Sequence, residues 1–288
     1  MFIKKHSNEF PIEKMARVIG VSRSGYYEFI KKKPGKRNGI EKELLERIKT
    51  IHVESRQTYG SPRIHRELIR QGFVCSRKRV AKLMKRKGIQ PKMRKKWKTA
   101  PKMNIIVAPN FLDQQFIAEK PKEKLVSDIT YVKTEEGWLY VAGVMDLFSR
   151  KIVGLSMGAE ANADLVINAL QQASIRLGSL KGTLHHSDRG CQYTSKKFGG
   201  YADGHGIILS MSAKGKCYDN AAMESFFHTL KTEHIHLCNF KSREEARVSI
   251  FEYIEVFYNR KRLHSTLGYK TPHEIEEGWD KQHDNKVA

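Results

Sequence analysis

Cysteine pairs, long apolar runs and an N-terminal export signal are all missing from this sequence. The chain contains four cysteines, Cys75, Cys191, Cys217 and Cys238, and their spacing follows no paired pattern. Such scattered cysteines are typical of reduced thiols in a cytosolic protein. No stretch approaches the ~18 consecutive apolar residues of a membrane-spanning helix, and no apolar segment follows the basic N-terminus as in a secretory signal. These absences predict a cytoplasmic protein that has no membrane partner.

Negative charge is scarce in the first third of the chain. Residues 1–100 contain 29 lysines and arginines against 8 acidic residues, a net charge of +21. Residues 101–288 are nearly balanced, with 24 basic against 23 acidic residues. A concentrated basic charge favours a polyanionic partner, so we expect the first third to bind nucleic acid. The alternative is a basic surface that only keeps the protein in solution.

Residues 1–35 are predicted to contain two short helices around a turn. Apolar residues at helical spacing end at Gly20, and Ser22 can then cap a second helix. This pattern is compatible with a helix-turn-helix, although many helical hairpins bind nothing. Pro34, Gly35 and Gly39 lie among basic residues and predict a linker over 34–40.

Residues 40–92 give a clearer helix-turn-helix pattern. A helix from Ile40 to Ile51 is followed by one that Ser61 opens and Gly72 ends. Ser76 then opens a second, strongly basic helix, and a basic second helix is the one that enters the DNA groove in such motifs. The predicted DNA contacts on it are Arg77, Lys78, Arg79 and Lys82. A solvated helix face is the alternative reading of these charges.

The pattern changes to strands and helices after a predicted linker over residues 93–122. Within the next predicted domain, 123–280, we expect three strands, a helix, a strand, a helix, a strand and a helix, which is a mixed α/β order. The elements are predicted at Leu125–Val132, Trp138–Asp146, Ile152–Met157, Ala163–Leu177, Thr183–Ser187, Ser195–His205, Ile207–Met211 and Asn220–His234. A further helix, Arg243–Tyr258, is expected to lead into a basic tail.

Three carboxylates occupy positions from which they can meet at one edge of a sheet. Asp128 lies within the first predicted strand, Asp188 directly follows the fourth, and Glu224 lies early in a helix, with 35 residues between it and Asp188. Carboxylate oxygens suit Mg²⁺, and a pair of such ions can carry out phosphoryl transfer. Spacing alone leaves open that these are three unrelated surface acids.

The sequence blocks around these acids resemble a known catalytic core. They read SDITY at 127–131, HHSDRG at 185–190 and DNAAMESFF at 219–227, and further blocks are VSRSGYY at 21–27, YGSPRI at 59–64, DLFSRKIVG at 146–154 and YNRKRLHSTLGY at 258–269. This order of blocks is similar to that of retroviral integrases and bacterial insertion-sequence transposases. Nearly the whole chain resembles the second-reading-frame subunit of the insertion-sequence three family.

The resemblance implies a ribonuclease-H-like α/β core preceded by an all-α helix-turn-helix region. It also implies a catalytic and metal-binding triad of Asp128, Asp188 and Glu224 with two Mg²⁺ or Mn²⁺ ions. Double-stranded DNA would be cleaved at transposon ends and joined to a target, by a homo-oligomer in the cytoplasm on the nucleoid. A protein from an upstream reading frame, or a fusion to it, is a further implied partner.

Two residues near Glu224 are predicted to contact DNA. Lys231 follows Glu224 by two helical turns, and Asn220 precedes it by one, so the three side chains share a helix face. The resemblance implies DNA phosphate as the ligand of Lys231; the alternative is a solvated lysine. His234, His236 and Cys238 alternate, and this spacing does not match a structural zinc site. We expect His185 and His186 to support the strand end rather than to bind metal.

Other functions compete with transposition at this point. A nuclease of the same fold that cuts without joining would share the three acids but would not need the helix-turn-helix units. A DNA-binding protein that has lost catalysis would not need an intact triad. A regulator that uses the N-terminal module alone would leave the α/β core unexplained.

Overall fold

The computed structural model describes residues 2–31, 36–92, 108–113, 115–212 and 220–284. These residues form two compact units. The first consists of Met1–Glu54 and Ile64–Gln90, and the second consists of Ser55–Arg63 and Pro91–Ala288. The segment 55–63, which sequence patterns placed within the 40–92 region, therefore clusters with the second unit. The helices of the first half run over Phe2–Lys5 (α1), Ile12–Ile19 (α2), Arg23–Lys31 (α3), Lys36–Glu54 (α4), Ser61–Arg70 (α5) and Arg77–Arg86 (α6).

The short N-terminal helices end and begin at the predicted residues. Gly20 closes α2 in a left-handed conformation, with φ 73°, which a glycine adopts without steric cost. The Ser22 hydroxyl accepts a hydrogen bond from the Gly25 amide at 3.0 Å, and α3 starts there. Helix α4 begins at Lys36, so the predicted linker over 34–40 is wrong for residues 36–40, while Pro34 and Gly35 lie outside the described residues.

The helix pair α5 and α6 is built as the sequence predicts. Gly72, with φ 83°, follows the end of α5, and the Ser76 hydroxyl accepts from the Arg79 amide to cap α6. Most apolar residues that recur at helical spacing in these helices are buried, as an inward-facing stripe requires: Leu44, Leu45, Ile48, Ile51, Ile64, Leu68, Val80, Leu83 and Met84. Ile19, Ile40 and Ile69 have the same helical spacing but are 47%, 56% and 44% exposed.

A mixed five-stranded sheet is the centre of the second unit. Its strands are Lys124–Thr134 (β1), Gly137–Asp146 (β2), Ile152–Gly158 (β3), Leu184–Ser187 (β4) and Ile208–Met211 (β5). They lie in the order β3-β2-β1-β4-β5. The first three strands pair antiparallel, whereas β4 pairs parallel to both β1 and β5. This confirms the predicted mixed α/β fold.

Helices cover both faces of the sheet. They are Ala163–Leu177 (α7), Lys196–Gly204 (α8), Ala221–Glu233 (α9), Arg243–Glu252 (α10) and Pro272–Asp284 (α11), with a π-helical turn at Tyr253–Tyr258 after α10. Helix α7 packs so closely on β3 that a Cβ atom at Gly154 would lie 2.1 Å from the Ala169 carbonyl oxygen. The tail predicted after Tyr258 contains α11, a helix that the sequence did not indicate.

The main core lies between the sheet and α7 and α8. Its fully buried members include Leu125, Val144, Val153, Leu170 and Phe198. On the same sheet, Gly143 of β2 lies against the Met223 and Phe227 side chains of α9. Helix α9 is thus held on β2 and close to β1, the strand that contains Asp128. Among the described residues, no helix combines the length and the apolar character that crossing a membrane requires.

Candidate active site

Two of the three predicted acids belong to neighbouring parallel strands: Asp128 lies on β1, and Asp188 directly follows β4. The register of β1 and β4 pairs Val126 with His186. Two residues beyond this pair come Asp128 on one chain segment and Asp188 on the other. Adjacent strands are about 4.8 Å apart, so Asp128 and Asp188 lie close together where β4 ends. The Asp128 Oδ1 atom accepts from the Ile129 amide at 2.8 Å, and the Asp188 Oδ1 atom accepts from the Gly190 amide at 2.9 Å.

Two buried histidines fasten the strands that lead to these acids. The His185 Nε2 atom hydrogen-bonds with the Ser127 hydroxyl at 2.7 Å, which joins β4 to β1. His186 hydrogen-bonds through its two ring nitrogens with the hydroxyls of Ser210 and Ser212, at 2.9 and 3.1 Å. Burial, and then the neighbouring His186, lower the pKa of His185 to about 3, so its ring stays neutral. Both histidines support the strand ends, as predicted from the sequence.

Glu224 is brought to the acidic pair by α9. Its side chain is exposed, and the pKa of its carboxyl is raised first by partial burial and then by the negative charge of Asp188. A charge effect of this kind requires proximity, since it decays with distance in a solvated site. The electrostatics therefore group Glu224 with Asp188, as the predicted triad requires.

Asn220, one residue before α9, is buried instead of facing the solvent. It is 4% exposed, and its side-chain amide donates to the Ser127 carbonyl at 3.0 Å. This contact ties the start of α9 to the residue next to Asp128. This burial leaves the Asn220 side chain little surface for the predicted contact with DNA.

Tyr193 places a polar atom beside the acids without a protein partner. The side chain is 2% exposed, and its hydroxyl has no hydrogen-bond partner within the part of the chain that the structure describes. Burial, followed by the charges of Asp128 and Asp188, holds the pKa of this hydroxyl well above its usual range. The group is therefore a neutral phenol close to both carboxylates. Sequence reasoning gave Tyr193 no role, because neighbourhood in sequence does not reveal where a side chain points.

Lys231 lies at the other end of the predicted helix face. Its Nζ atom lies 4.7 Å from the centre of the Tyr131 ring, a cation–π distance. Burial lowers the pKa of Lys231, and the charge of Asp128 acts in the opposite direction. A half-buried ammonium group near Asp128 can attract a phosphate to the acidic edge.

The three acids do not by themselves form a closed metal cage. Within the described ranges, no group of three or more His, Cys, Asp or Glu side chains is arranged to hold a metal ion. The sequence also predicts a loop from Ser212 to Tyr218, with Lys214 and Lys216, that could clamp DNA near the metals; beyond Ser212 this loop lies outside the described residues. What the site offers is three carboxylates, which are hard oxygen donors, and the unsatisfied Tyr193 hydroxyl, which a bound water could satisfy.

The predicted DNA contacts of the first unit lie on the outer face of α6. Arg77, Lys78 and Lys82 are exposed and Arg79 is partly exposed. On the same helix, Arg86 pairs with Glu41 of α4, so not every cation on α6 is available to a ligand. His234, from the alternating His/Cys group, hydrogen-bonds with Ser249 at 2.9 Å and stacks on Tyr253.

Comparison with known proteins identifies both halves of the chain. Residues 40–97 match the HTH-like domain family, and residues 118–217 and 205–272 match two models that are each described as an integrase core domain. Transposase InsF of insertion sequence IS3A from Escherichia coli K12 is 41% identical over 280 residues, which cover 96% of this chain and 97% of the relative. The 31 kDa protein of insertion element IS600 from Shigella sonnei is 42% identical over 260 residues, 90% of this chain and 96% of the relative.

Solved structures resemble the chain more distantly. The catalytic core of HTLV-2 integrase in complex with magnesium is 18% identical, with a TM-score of 0.41 over 54% of this chain and 96% of that one. The assignment therefore rests on the family models and the insertion-sequence relatives. They confirm the family that the sequence blocks indicated, and the chain belongs to the IS3 family of insertion-sequence transposases.

Proposed function

We propose that this transposase cuts transposon ends and joins them to target DNA with Asp128, Asp188 and Glu224 as its catalytic carboxylates, which would hold two Mg²⁺ or Mn²⁺ ions. The observation that carries the proposal is the placement of the acids. Asp128 lies on β1 two residues beyond its last pairing with β4, and Asp188 directly follows the end of β4, while the charge of Asp188 acts on Glu224. Three surface acids without a common role would have no reason to lie this close together.

The surroundings of the acids support a metal-dependent site. His185, His186 and Asn220 tie β1, β4, β5 and α9 together behind the acids, so the carboxylates sit on rigid elements. Bound divalent ions would activate the attacking oxygen and stabilise the leaving oxygen of a phosphodiester. The neutral Tyr193 hydroxyl can donate a hydrogen bond to a carboxylate or to a water at the site, and thereby orient it.

The two proposed steps need no covalent bond to the protein. Water attacks the phosphorus at the transposon end, the bond to the 3′ oxygen breaks, and the 3′ oxygen takes up a proton to become a hydroxyl. That hydroxyl then attacks a target phosphodiester, a new bond forms, and the target strand leaves with its own 3′-hydroxyl. A Ser, Tyr or Cys nucleophile is therefore not required.

The test is an assay with a labelled transposon end and a target duplex. With Mg²⁺ or Mn²⁺, we expect nicked ends that carry a 3′-hydroxyl and longer, joined products. With a chelator, we expect neither. Nicking without joined products would instead favour a nuclease of the same fold, and full activity in the chelator would contradict metal dependence.

Lys231 is proposed to position phosphate. Replacement of Lys231 by alanine should weaken DNA engagement or strand transfer and leave the melting temperature nearly unchanged, because the described contact of its ammonium group is with the half-exposed Tyr131 ring, a weak interaction at such a site. Lys231→Arg keeps the charge and should retain most of the activity. Calorimetric melting and strand-transfer rates are measured on both variants. A large loss of stability with normal strand transfer would reverse the assignment to a structural role.

Helix α6 is proposed to contact the DNA backbone or groove through Arg77, Lys78, Arg79 and Lys82. Each phosphate contact contributes about 0.9 to the slope of log affinity against log salt. The double variant Lys78→Gln/Lys82→Gln should therefore lower this slope, by up to about 1.8 if both side chains contact phosphate.

The matched control for α6 is Lys49→Gln. Lys49 lies on α4 of the same unit and is paired with Glu46, so its removal should leave the slope unchanged. Duplex titrations at several salt concentrations provide the measurement. If the α6 variant and the control give equal slopes, α6 is not the DNA-binding helix.

The assembly and the place of action are also proposals. We propose that the chain acts as a homo-oligomer on DNA in the cytoplasm, on the nucleoid, and that an upstream-frame protein or fusion contributes to end recognition. If end-specific binding appears only when the upstream frame is fused, that partner is required; equal end-specific binding by the single chain would exclude the requirement.

A further inference from the structure

The two sequence blocks to which no role was assigned meet at one cavity of the second unit. One is the turn between β2 and β3, which contains Arg150, and the other contains Tyr258, Arg262 and His264. Together with one flank of α9 they enclose a cavity of about 260 Å³. None of the residues that line this cavity is acidic, whereas Arg150, Arg262 and His264 all line it.

His264, which lines this cavity, has a buried ring nitrogen for which the described residues offer no hydrogen-bond partner. His264 is 8% exposed, and its Nε2 atom makes no hydrogen bond within the described ranges. A buried polar atom that stays unpaired costs stability, so its retention indicates a ligand or a water at this point. Burial, and then the charges of Arg262, Arg63 and Arg150, lower the pKa of His264 to about 3. The ring is therefore neutral, and its surroundings are strongly positive.

The positive charge is only partly balanced by carboxylates. Glu233 pairs with Arg262 at 2.8 Å and with Arg63 at 3.6 Å, so one carboxylate serves two guanidinium groups. The negative charge of Asp146 favours the charged form of Arg150. The Asp146 oxygens, however, already accept hydrogen bonds from Lys122 and Ser149. The Arg150 guanidinium itself donates to the Phe116 carbonyl at 2.8 Å. A surplus of positive charge is left at the cavity.

The backbone at Arg150 gives independent evidence of a function. Its φ is 60°, in the left-handed region that glycine and asparagine adopt more readily than arginine. The Arg150 amide closes the turn onto the Asp146 carbonyl at 2.8 Å. An arginine held in an unfavourable conformation indicates that its side chain is needed there.

The cavity adjoins the proposed active site along α9. Glu224 and Ser225 are consecutive, so their side chains leave the helix about 100° apart. Glu224 is on the side of the acids, whereas Ser225 and Thr229 line the cavity with hydroxyl groups. A DNA strand that crosses α9 at Glu224 could therefore reach the cavity with a neighbouring phosphate.

We propose that this cavity, bounded by Arg150, Arg262 and His264, binds a phosphate group of the DNA backbone and thereby anchors the strand next to the catalytic acids. The His264 ring would donate through Nε2, and Arg150 would supply the charge. This inference rests on the proposed DNA substrate but not on the identity of the three catalytic acids.

The test uses the full chain with Arg150→Asn, which removes the charge but suits the left-handed backbone. Arg150→Lys keeps the charge and serves as the rescue. The matched control is Arg176→Gln, since Arg176 is a half-buried arginine that is paired with Glu255 and lies away from the cavity. Melting curves of all variants show whether they are folded.

The first measurement is duplex binding over a range of salt concentrations. Arg150→Asn should lower the slope of log affinity against log salt by about 0.9, and Arg150→Lys and Arg176→Gln should not. In a second arm, inorganic phosphate should raise the melting temperature of the wild type, relative to sodium chloride at equal ionic strength, but not that of Arg150→Asn.

The outcomes separate the possible ligands. A phosphate effect that is lost in Arg150→Asn while the DNA slope stays unchanged would overturn the assignment to DNA and indicate a site for a free anion. If phosphate acts equally on the wild type and on Arg150→Asn, the cavity is not the site. Neither measurement depends on catalysis. A wrong assignment of the catalytic triad can therefore be distinguished from a wrong assignment of the phosphate site.

Discussion

Replacement of Glu224 by glutamine is expected to reduce cleavage and joining by at least about a hundredfold, because metal ions contribute several kcal/mol to such reactions and each 1.36 kcal/mol is a factor of ten. Glutamine keeps the size of the side chain and the helix, but a neutral amide oxygen is a poorer ligand for a hard cation. DNA binding should survive, since the first third of the chain contributes most of the basic charge. The measurement is cleavage and joining of a labelled end with Mg²⁺ or Mn²⁺, with DNA binding followed in parallel.

Glu135→Gln provides the control for this experiment. Glu135 is an exposed glutamate in the turn between β1 and β2, and the same loss of charge there should leave both activities at the wild-type level. A Glu224→Gln protein that cuts and joins at the wild-type rate would show that Glu224 is not a catalytic acid. If the wild-type chain alone is inactive, the comparison is made in the fusion with the upstream frame.

The strands and helices of the second unit could be predicted because each depends on local patterns. Periodic apolar residues define β1 to β3 and α7 within a residue or two of the observed bounds. In the first unit, residues such as Gly20 and Ser76 likewise mark helix ends by their own backbone and hydroxyl chemistry. Each of these signals depends on only a few neighbouring residues, so it can be recognised without knowledge of the tertiary structure.

Burial of single side chains could not be read from the same patterns. Ile40 and Ile69 lie at helical spacing but are exposed, because the width of a buried stripe depends on which helices pack against it. Helix α11 was missed because its charged residues give little apolar periodicity. In each case, the deciding partner is remote in sequence.

The sequence blocks pointed to the three proposed acids. They did not show which other residues lie near those acids in the fold. The register of β1 and β4 that aligns Asp128 with Asp188 is a long-range property. The meeting of Arg150 with His264 across more than a hundred residues is another. Sequence motifs can mark both partners, but only the fold shows that they share one cavity.

Segment 55–63 illustrates how a long-range contact changes a domain boundary. The Tyr59 hydroxyl donates to the Lys261 carbonyl at 3.1 Å and accepts from the Leu263 amide at 2.7 Å. Arg63 joins the same region through Glu233. Apolar patterning cannot reveal such polar anchoring, so this segment was grouped with the helices that flank it in sequence.

The largest expected effect on stability comes from Glu233, the last residue of α9. It is 9% exposed and receives two hydrogen bonds from Arg262, at 2.9 and 2.8 Å, and one from the Tyr253 hydroxyl at 2.9 Å. Arg63 adds an ion pair at 3.6 Å. Glu233→Gln should lower the free energy of unfolding by about 3–5 kcal/mol, because the buried Arg262 would lose its charged partner.

An exposed ion pair in the same unit provides the comparison for Glu233. Glu252 pairs with Arg56 at 2.6 Å, but its side chain is 60% exposed, and such pairs contribute roughly 0–1 kcal/mol. Glu252→Gln should therefore change the free energy of unfolding by less than about 1 kcal/mol. Urea denaturation of both variants and the wild type measures the difference. If the two substitutions have equal effects, water or another group replaces Glu233 as the partner of the Arg262 charge. The buried cluster would then not be what holds the end of α9 to the segment around Arg262.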